Sequence, residues 1–441
     1  MVENKEGFWY PSVDEKSCIE CKVCLKKCPV ENMEFHRNEP HKVWAWRNKN
    51  DVDIMRSASG GAADSAAKTI LQMGGVVYGA AYDEQLAVSH IEVTDEAERE
   101  KLQSSKYVQS DPKDSYTKVK QRLSEGKTVL FTGTPCQIAG LYAFLGGNPE
   151  NLYTVDLICH GVPSPKFSTK SLAYQNKQTA GRVIYFNFRS KDKRGWGTQY
   201  LLKTKTKTKT KTKTKTLSLD RYGKHFMDGD CYRESCYQCV YANTSRVGDI
   251  TVGDFWGIAK SHPEFNSPKG VSSVFVNTEK GQELFEQDQY EKALNGDSIG
   301  FVGFLKVADQ FSGTKAANLA KAYAGICYAH LNKYDEAIKY LNEFDGADQM
   351  VGPAMLAAAG NCYAQLDQLD KAVSSLLKAA DKADSNTLSP IYLLQAGEIL
   401  VKQGKYDDAV KAYTQIKDKY FQSYQAMDID KYIEQAKLLK K

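Results

Sequence analysis

Four cysteines within eleven residues, Cys18, Cys21, Cys24 and Cys28, followed at once by Pro29, constrain this chain more than any other feature of it. Spacers of two, two and three residues curl the backbone into a loop. Three thiolates then reach three irons of a cubane, peptide N–H groups face the sulfides, and the proline turns the chain away. Two Cys-x2-Cys pairs also suit zinc, but the overlap of the pairs and the proline favour iron and sulfide. In two-cluster proteins of this spacing the fourth cysteine serves the other cluster. No cysteine precedes Cys18, so either a remote thiol completes the first cluster or Cys28 lacks its usual partner.

The other cysteines suggest where such a thiol lies. Cys231, Cys236 and Cys239 are clustered, Cys136 follows Gly133-Thr134-Pro135, and Cys159 precedes His160-Gly161. Both lone cysteines sit at the ends of strand-like runs, and strand ends on one side of a sheet can converge. A second four-thiolate site from Cys136, Cys159, Cys236 and Cys239 is therefore expected, against a reading of Cys136 and Cys159 as isolated buried thiols. Cys327 and Cys362 fall in helical repeats beside small residues and read as packed thiols. No apolar leader opens the sequence, and no run approaches the ~18–20 apolar residues that cross a bilayer. A cytoplasmic protein is expected, in which clustered cysteines mean metal chemistry rather than disulfides.

Between the cysteines the pattern alternates. Residues 62–73 read as a helix closed by Gly74-Gly75, and 76–82 as a buried strand. A helix over 114–124, a strand over 128–132, a helix over 137–145 and a strand over 152–159 follow. This order indicates an α/β or α+β domain. Seven lysines alternate with threonine from Lys203 to Thr216, and without them the net charge of +5 turns negative. The overall basicity therefore points to no specific nucleic acid. Strict alternation permits an edge ribbon, but with no apolar face the register is weakly specified, and a disordered or frayed protrusion is the expectation.

Near residue 286 the composition changes to Ala, Leu, Lys, Tyr and Asp at helical spacing. Gly325, Tyr328, Tyr334, Ala337 and Leu341 are echoed 35 residues on by Gly360, Tyr363, Ala372 and Leu376. Gly397, Leu400, Tyr406, Ala409 and Tyr413 follow after a further 37. This is the tetratricopeptide period, with small residues where paired helices cross and large ones filling the gap. Residues 299–311 should supply a preceding helix and 427–439 a capping one. Such arrays hold protein partners on a concave face.

Several strings resemble the coenzyme F(420) hydrogenase/dehydrogenase beta-subunit family over roughly residues 8–286. They are Ser57-Ala58-Ser59-Gly60-Gly61, Gly75-Val76-Val77-Tyr78-Gly79-Ala80, Ser105-Lys106-Tyr107-Val108-Gln109-Ser110, Thr132-Gly133-Thr134-Pro135-Cys136-Gln137, the run from Asp156 through Cys159-His160-Gly161 to Ser164, and the run from Asp249 to Gly257. The resemblance implies FAD, one or two 4Fe–4S clusters, and electron transfer between a hydride carrier, a deazaflavin in archaeal members, and one-electron centres. A flavin joins the two kinds of chemistry because it accepts electrons in pairs and releases them singly. Backbone N–H groups of Ser59, Gly60 and Gly61 before a helix suit a pyrophosphate, though such a string also serves as a plain cap. Lys106 and Tyr107 are candidates for phosphate and ring, Thr134 and Gln137 for hydrogen bonds to the ring, and His160 for flavin or substrate. No general acid or base is nominated.

The expected architecture is multi-domain: a partial ferredoxin segment over 1–50, an FAD and iron–sulfur α/β domain over 51–288 with the Lys-Thr insert at 203–216, and an all-α tetratricopeptide solenoid over 289–441. The expected function is an iron–sulfur flavoprotein oxidoreductase. Its partners would be a redox protein or small electron carrier, with a further protein on the repeats. The competing reading is a repeat scaffold carrying a degenerate, cofactor-free redox domain.

Overall fold

Long strands rich in Val, Ile, Leu and Tyr pair in the computed structural model, which describes all residues but 32–36, 180, 206–211, 218–219, 297–301 and 441. In chain order they are β1 (Lys42–Trp46), β2 (Val76–Tyr82), β3 (Val88–Val93), β4 (Val129–Gly133), β5 (Leu152–Leu157), β6 (Arg182–Asn187), β7 (Tyr200–Lys205), β8 (Thr212–Leu217), β9 (Ile250–Asp254) and β10 (Ser272–Val276). Seven form one sheet in the order β1-β10-β9-β5-β4-β2-β3. Strands β2, β4, β5 and β9 are mutually parallel, and β3, β10 and β1 add antiparallel edges. A near-continuous apolar run such as Val76–Tyr78 fits this arrangement, because a parallel strand is covered on both faces.

One face carries Ala67, Ile70, Val77, Leu130, Val155, Ile250 and Val274 under helices Ala62–Gln72 and Glu279–Asn295; the other carries Tyr78, Phe131, Ile138, Leu141 and Tyr142 under helices Ser115–Ser124 and Pro135–Leu145. The expected helices and strands between 62 and 159 are present within about two residues at each end. Strand β3 was not foreseen. Strand β1 lies within the residues grouped with the ferredoxin segment, yet it pairs with β10 from Ser272↔Trp46 to Val276↔Lys42.

The frayed Lys-Thr protrusion is corrected for the residues described: β8 pairs antiparallel with β7, and β7 with β6. The cause lies just upstream. Tyr200 and Leu202 are buried with Val183, Phe186, Phe188 and Tyr222, and that anchored strand carries its register into the tract. The register sets Thr214 opposite Lys203 and Lys213 opposite Thr204, which avoids the like-charge pairs that direct lysine opposition would create. Residues 206–211 of the tract lie outside the described residues.

The chain divides into two units, Met1–Asp288 and Gln289–Lys441. The second is built of helices Phe304–Gln310, Lys315–His330, Tyr334–Asn342, Val351–Gln365, Leu369–Ala383, Ser389–Lys402, Tyr406–Lys419 and Ile429–Leu439. The first of these covers part of the preceding helix expected over 299–311; residues 299–301 lie outside the described set. Each repeat glycine meets the large residue sixteen positions later. A Cβ on Gly325, Gly360 or Gly397 would lie 2.6 Å from Leu341, 3.0 Å from Leu376 and 2.2 Å from Tyr413 respectively. Glycine is thus required there by close helix approach. Cys327 and Cys362 are buried beside these crossings. No helix among the described residues is long and apolar enough to cross a membrane.

Candidate functional site

The carboxyl ends of parallel strands β4, β5 and β9 lie side by side, and the turns that leave them carry Thr134-Pro135-Cys136, Ile158-Cys159-His160 and Phe255-Trp256-Gly257. This edge is where ligands bind in open α/β sheets. Cys136 is the second residue of helix Pro135–Leu145, whose start is locked by a capping box between Thr134 and Gln137. Thr134 Oγ1 lies 3.1 Å from Cys136 Sγ, and Gln137 Nε2 donates to Ser110 Oγ at 2.9 Å. These two residues, nominated for a flavin ring, are hydrogen-bonded to each other, and Thr134 also meets Cys136.

Cys236 and Cys239 reach the same edge by a different route. Arg233 N–H donates to the Val162 carbonyl, and Pro163 bridges Tyr232, so the turn after Cys159 and the segment before Cys236 run side by side. Backbone N–H groups of Gly161 and Val162 face the sulfurs of Cys159 and Cys236. Downstream of Cys239, Arg246 is buried and pairs with Asp156 of β5 at 2.9 Å, while Asp156 also accepts from the Gly248 amide at 2.9 Å. Asp249 accepts from Thr154 N and Oγ1 at 2.9 and 2.8 Å. This buried polar network fastens the cysteine-bearing loop to the sheet.

Burial raises the Cys159 thiol to about 12, with the Gly161 amide opposing and Cys136, Cys236 and Cys239 adding to the rise. Burial likewise raises Cys136, countered by Thr134 and reinforced by Cys236 and Cys239. Both cysteines nevertheless expose surface to solvent. Thiols clustered in this way suit an iron–sulfur core, whose positive irons take them as thiolates. The donor chemistry of Cys136, Cys159, Cys236 and Cys239 is that of an iron–sulfur site. Among the described residues no three His, Cys, Asp or Glu side chains converge as around a single metal ion; a cubane spreads its ligands more widely than one ion does.

In the first cysteine loop, Cys18, Cys21 and Cys24 are exposed and Cys28 is half-buried. Glu20 and Lys22, between the cysteines, adopt left-handed backbone at φ 51° and 57°. Non-glycine residues rarely do so, and alternating handedness turns successive N–H groups into a concavity of the kind that surrounds iron–sulfur sites. The loop docks on the same region as the second site. Lys27 Nζ donates to Ala143 O at 2.9 Å, and Tyr241 Oη donates to Pro29 O at 3.3 Å. Burial raises the Tyr241 phenol to about 12, and Cys136, Cys28 and Cys239 add to that rise.

The remaining nominated residues are engaged with protein. Ser59 Oγ donates to Val271 O at 2.8 Å. A Cβ on Gly60 would fall 2.2 Å from Trp46 O, and Gly61 takes φ +86° to start helix Ala62–Gln72. That helix's first turn carries Asp64, which pairs with the buried Arg99, so a carboxylate already occupies the positive end. Burial lowers Lys106 to about 7, and its ammonium donates to the carbonyls of Lys101, Gln103 and Ser104. Tyr107 stacks on Phe226 at 4.4 Å and meets Arg189 through its hydroxyl. His160 bonds Tyr232 and lies 5.4 Å from the Phe226 ring. Tyr107 and His160 are thus brought to one aromatic cluster, while Ser59–Gly61 lie at the β1–β10 end.

Sequence reasoning missed Arg189, Asp254, Trp196 and Lys191. Arg189 grips Asp254 through two bonds of 2.7 Å, and Trp196 Nε1 donates to Asp254 at 2.7 Å. Only the string Asp254-Phe255-Trp256-Gly257 hinted at them.

Comparison with known proteins bears on residues 126–299, which match the family model for the C terminus of the coenzyme F(420) hydrogenase/dehydrogenase beta subunit. That segment is similar to the C terminus of that family's beta subunits. It spans β4, β5 and β9 and includes Cys136, Cys159, Cys236 and Cys239. Residues 392–423 match a tetratricopeptide repeat. No curated protein matches the chain. Among solved structures it is similar to a chain of the F(420)-reducing nickel–iron hydrogenase complex from Methanosarcina barkeri. That likeness has 18% identity and a TM-score of 0.39, over 69% of this chain and 92% of the other.

Proposed function

We propose that the chain is an iron–sulfur flavoprotein oxidoreductase, moving electrons between a hydride carrier and 4Fe–4S clusters, with its repeats docking a protein partner. The observation that carries this reading is the gathering of four thiols from three separate segments at the carboxyl edge of the sheet. The beta-subunit match over the same segment supports it. Cys136, Cys159, Cys236 and Cys239 would hold one cluster, and Cys18, Cys21, Cys24 and Cys28 another. A bound cluster supplies one-electron storage at these positions. Around them, Thr134 fixes the Cys136 rotamer, the Gly161 and Val162 amides face sulfur, and the Arg246–Asp156 pair holds the loop in place. FAD belongs to the proposal because pairing hydride with one-electron chemistry calls for a flavin; no residue is assigned to it and no step is drawn through it. A cytoplasmic location is proposed with it.

The test is anaerobic purification with iron, sulfide and flavin counted per chain. About eight irons are expected for two cubanes, or about four for one. Cys136→Ser should remove about four irons from an eight-iron preparation and leave the set bound near Cys18. A colourless chain with neither iron nor flavin overturns the proposal and leaves the repeat scaffold as the function.

A further inference from the structure

An edge strand presents a row of backbone N–H and C=O groups without partners, and most proteins keep such an edge very short, bulged or covered. Strand β8, Thr212–Leu217, ends the three-stranded sheet β8-β7-β6. Among the described residues no strand pairs with its outer side. Its inner side is held in one unbroken register, because β7 is anchored by the buried Tyr200 and Leu202. The outer edge is therefore a template of fixed geometry. Charge around it is one-sided. From Leu157 to Leu219 the sequence holds fifteen Lys and Arg and a single acidic residue, Asp192. Arg182 of β6 stands directly opposite Lys205 of β7, and it donates to the Glu84 carbonyl at 2.7 Å rather than to a carboxylate. Among the described residues no carboxylate pairs with Lys205, Lys213 or Lys215. Like charges opposed across a sheet are destabilising, and an anion from outside relieves them.

The register decides which anion fits. Directly opposed residues of an antiparallel pair share a face. Lys213 is opposite Thr204 and Lys215 opposite Leu202, both buried. Lys203 is opposite Thr214, and its ammonium lies 4.8 Å from the ring centroid of the exposed Tyr185. The lysines of the ribbon thus occupy both faces, whereas a flat anionic membrane draws on the cations of one. Along β8 itself Lys213 and Lys215 fall on one face, two residues or about 7 Å apart, and the threonines fall on the other. An added strand meets this pattern one for one, with Asp or Glu at alternate positions beside the two lysines and small polar residues between. Its backbone also pairs the free edge groups, which a nucleic acid cannot do as a ladder. A second copy of β8 is disfavoured, because antiparallel pairing with like faces aligned sets lysine opposite lysine.

We propose that the outer edge of β8 docks an extended acidic segment of a partner protein, added as a fourth strand with carboxylates at alternate positions beside Lys213 and Lys215. This surface is separate from the repeats and from the cysteine sites, and it does not depend on bound iron or flavin.

The test titrates the full chain with a labelled alternating Thr-Glu peptide, a block peptide of the same composition, an alternating Thr-Lys peptide, oligo-dT and phosphatidylserine vesicles. The alternating acidic peptide should bind, more weakly as salt rises, and should slow hydrogen exchange of the β8 amides. Lys213→Glu combined with Lys215→Glu should weaken it about tenfold, and the Thr-Lys peptide should bind that variant in its place. Such an exchange of partners shows that the variant is folded at β8. Lys170→Glu combined with Lys177→Glu makes an equal change of charge at exposed positions of helix Pro165–Thr179. It should alter affinity by less than about threefold, because exposed charges away from the edge are screened. The site is overturned if the alternating acidic peptide does not bind, if the block peptide binds as tightly, or if both double variants weaken binding alike. It is overturned equally if only oligo-dT or the vesicles bind through Lys213 and Lys215.

Discussion

The two units of this chain reach order by opposite means. In residues 289–441 each helix packs mainly on its neighbours in sequence, and the same glycine-to-large contact recurs sixteen residues apart in three repeats. In residues 1–288 neighbours in space are distant in sequence: β1 pairs with β10, and Arg246 with Asp156. The repeat unit therefore has many equivalent contacts of short range, whose contributions add nearly independently. The sheet unit depends on a few long-range contacts with no second copy. Such a unit can bring Cys136, Cys159, Cys236 and Cys239 from distant segments to one edge of the sheet, which a one-dimensional stack cannot do. Convergence is gained at the cost of redundancy.

That contrast predicts a ranking of damage. Asp156→Ala strands the Arg246 guanidinium in the interior without its carboxylate and frees the Gly248 amide. The loss should be about 3–5 kcal/mol, read by urea unfolding and by hydrogen exchange in β4, β5 and β9, with the second-site irons lost as well. Exchange rates unchanged around β5 would show that the network is not what fastens the cysteine loop.

A pH effect of similar origin comes next. His90 is buried, stacked on Phe131, and donates through Nε2 to the Thr132 carbonyl at 3.0 Å. Burial lowers its pKa to about 4, with the Thr132 bond opposing. Because the unfolded imidazole titrates near 6.5, the unfolded chain binds more protons between the two values. The stabilisation is complete above about pH 6.5 and is lost as pH falls through about 4, a change on the order of 3 kcal/mol. His90→Gln should flatten the dependence of stability on pH across this window. An equal slope in parent and variant would remove His90 as its source.

The smallest effect belongs to the repeats. Gly397→Ala brings a methyl group against the Tyr413 ring and should cost about 1–3 kcal/mol, measured as faster exchange in helices Ser389–Lys402 and Tyr406–Lys419. Iron content should not change. If protection fell evenly over the whole chain, the picture of an additive array beside a cooperative sheet would fail.

How much of this was legible beforehand follows the same division. Gly325, Gly360 and Gly397 were readable as crossing residues because their partners stand at a fixed short offset. The strand ends bearing Cys136 and Cys159 were also readable, since a period of two and a following turn are local signals. Strand β3 was not, because its partner β2 and its edge position determine it more than its composition does. Nor was the β7–β8 ribbon: alternating Lys and Thr contain no preference for register, and the buried Tyr200 and Leu202 supplied it.

The flavin nominations show the limit most clearly. Lys106 looked like a phosphate ligand because lysine beside tyrosine resembles one, but its ammonium is taken by three carbonyls of its own turn. Arg189 carried no local mark, and it acquired importance only when folding placed it against Asp254, 65 residues away.

Local sequence thus determined which segments are helix or strand, where the repeats begin, and which residues have the chemistry to bind iron. Tertiary structure decided which cysteines lie at one edge of the sheet, which polar groups are already engaged, and which rings are buried. The physical reason is range. Hydrogen-bonded periodicity and cysteine spacing act over a few residues, whereas convergence, burial and charge depend on strands that meet only after the chain has closed on itself.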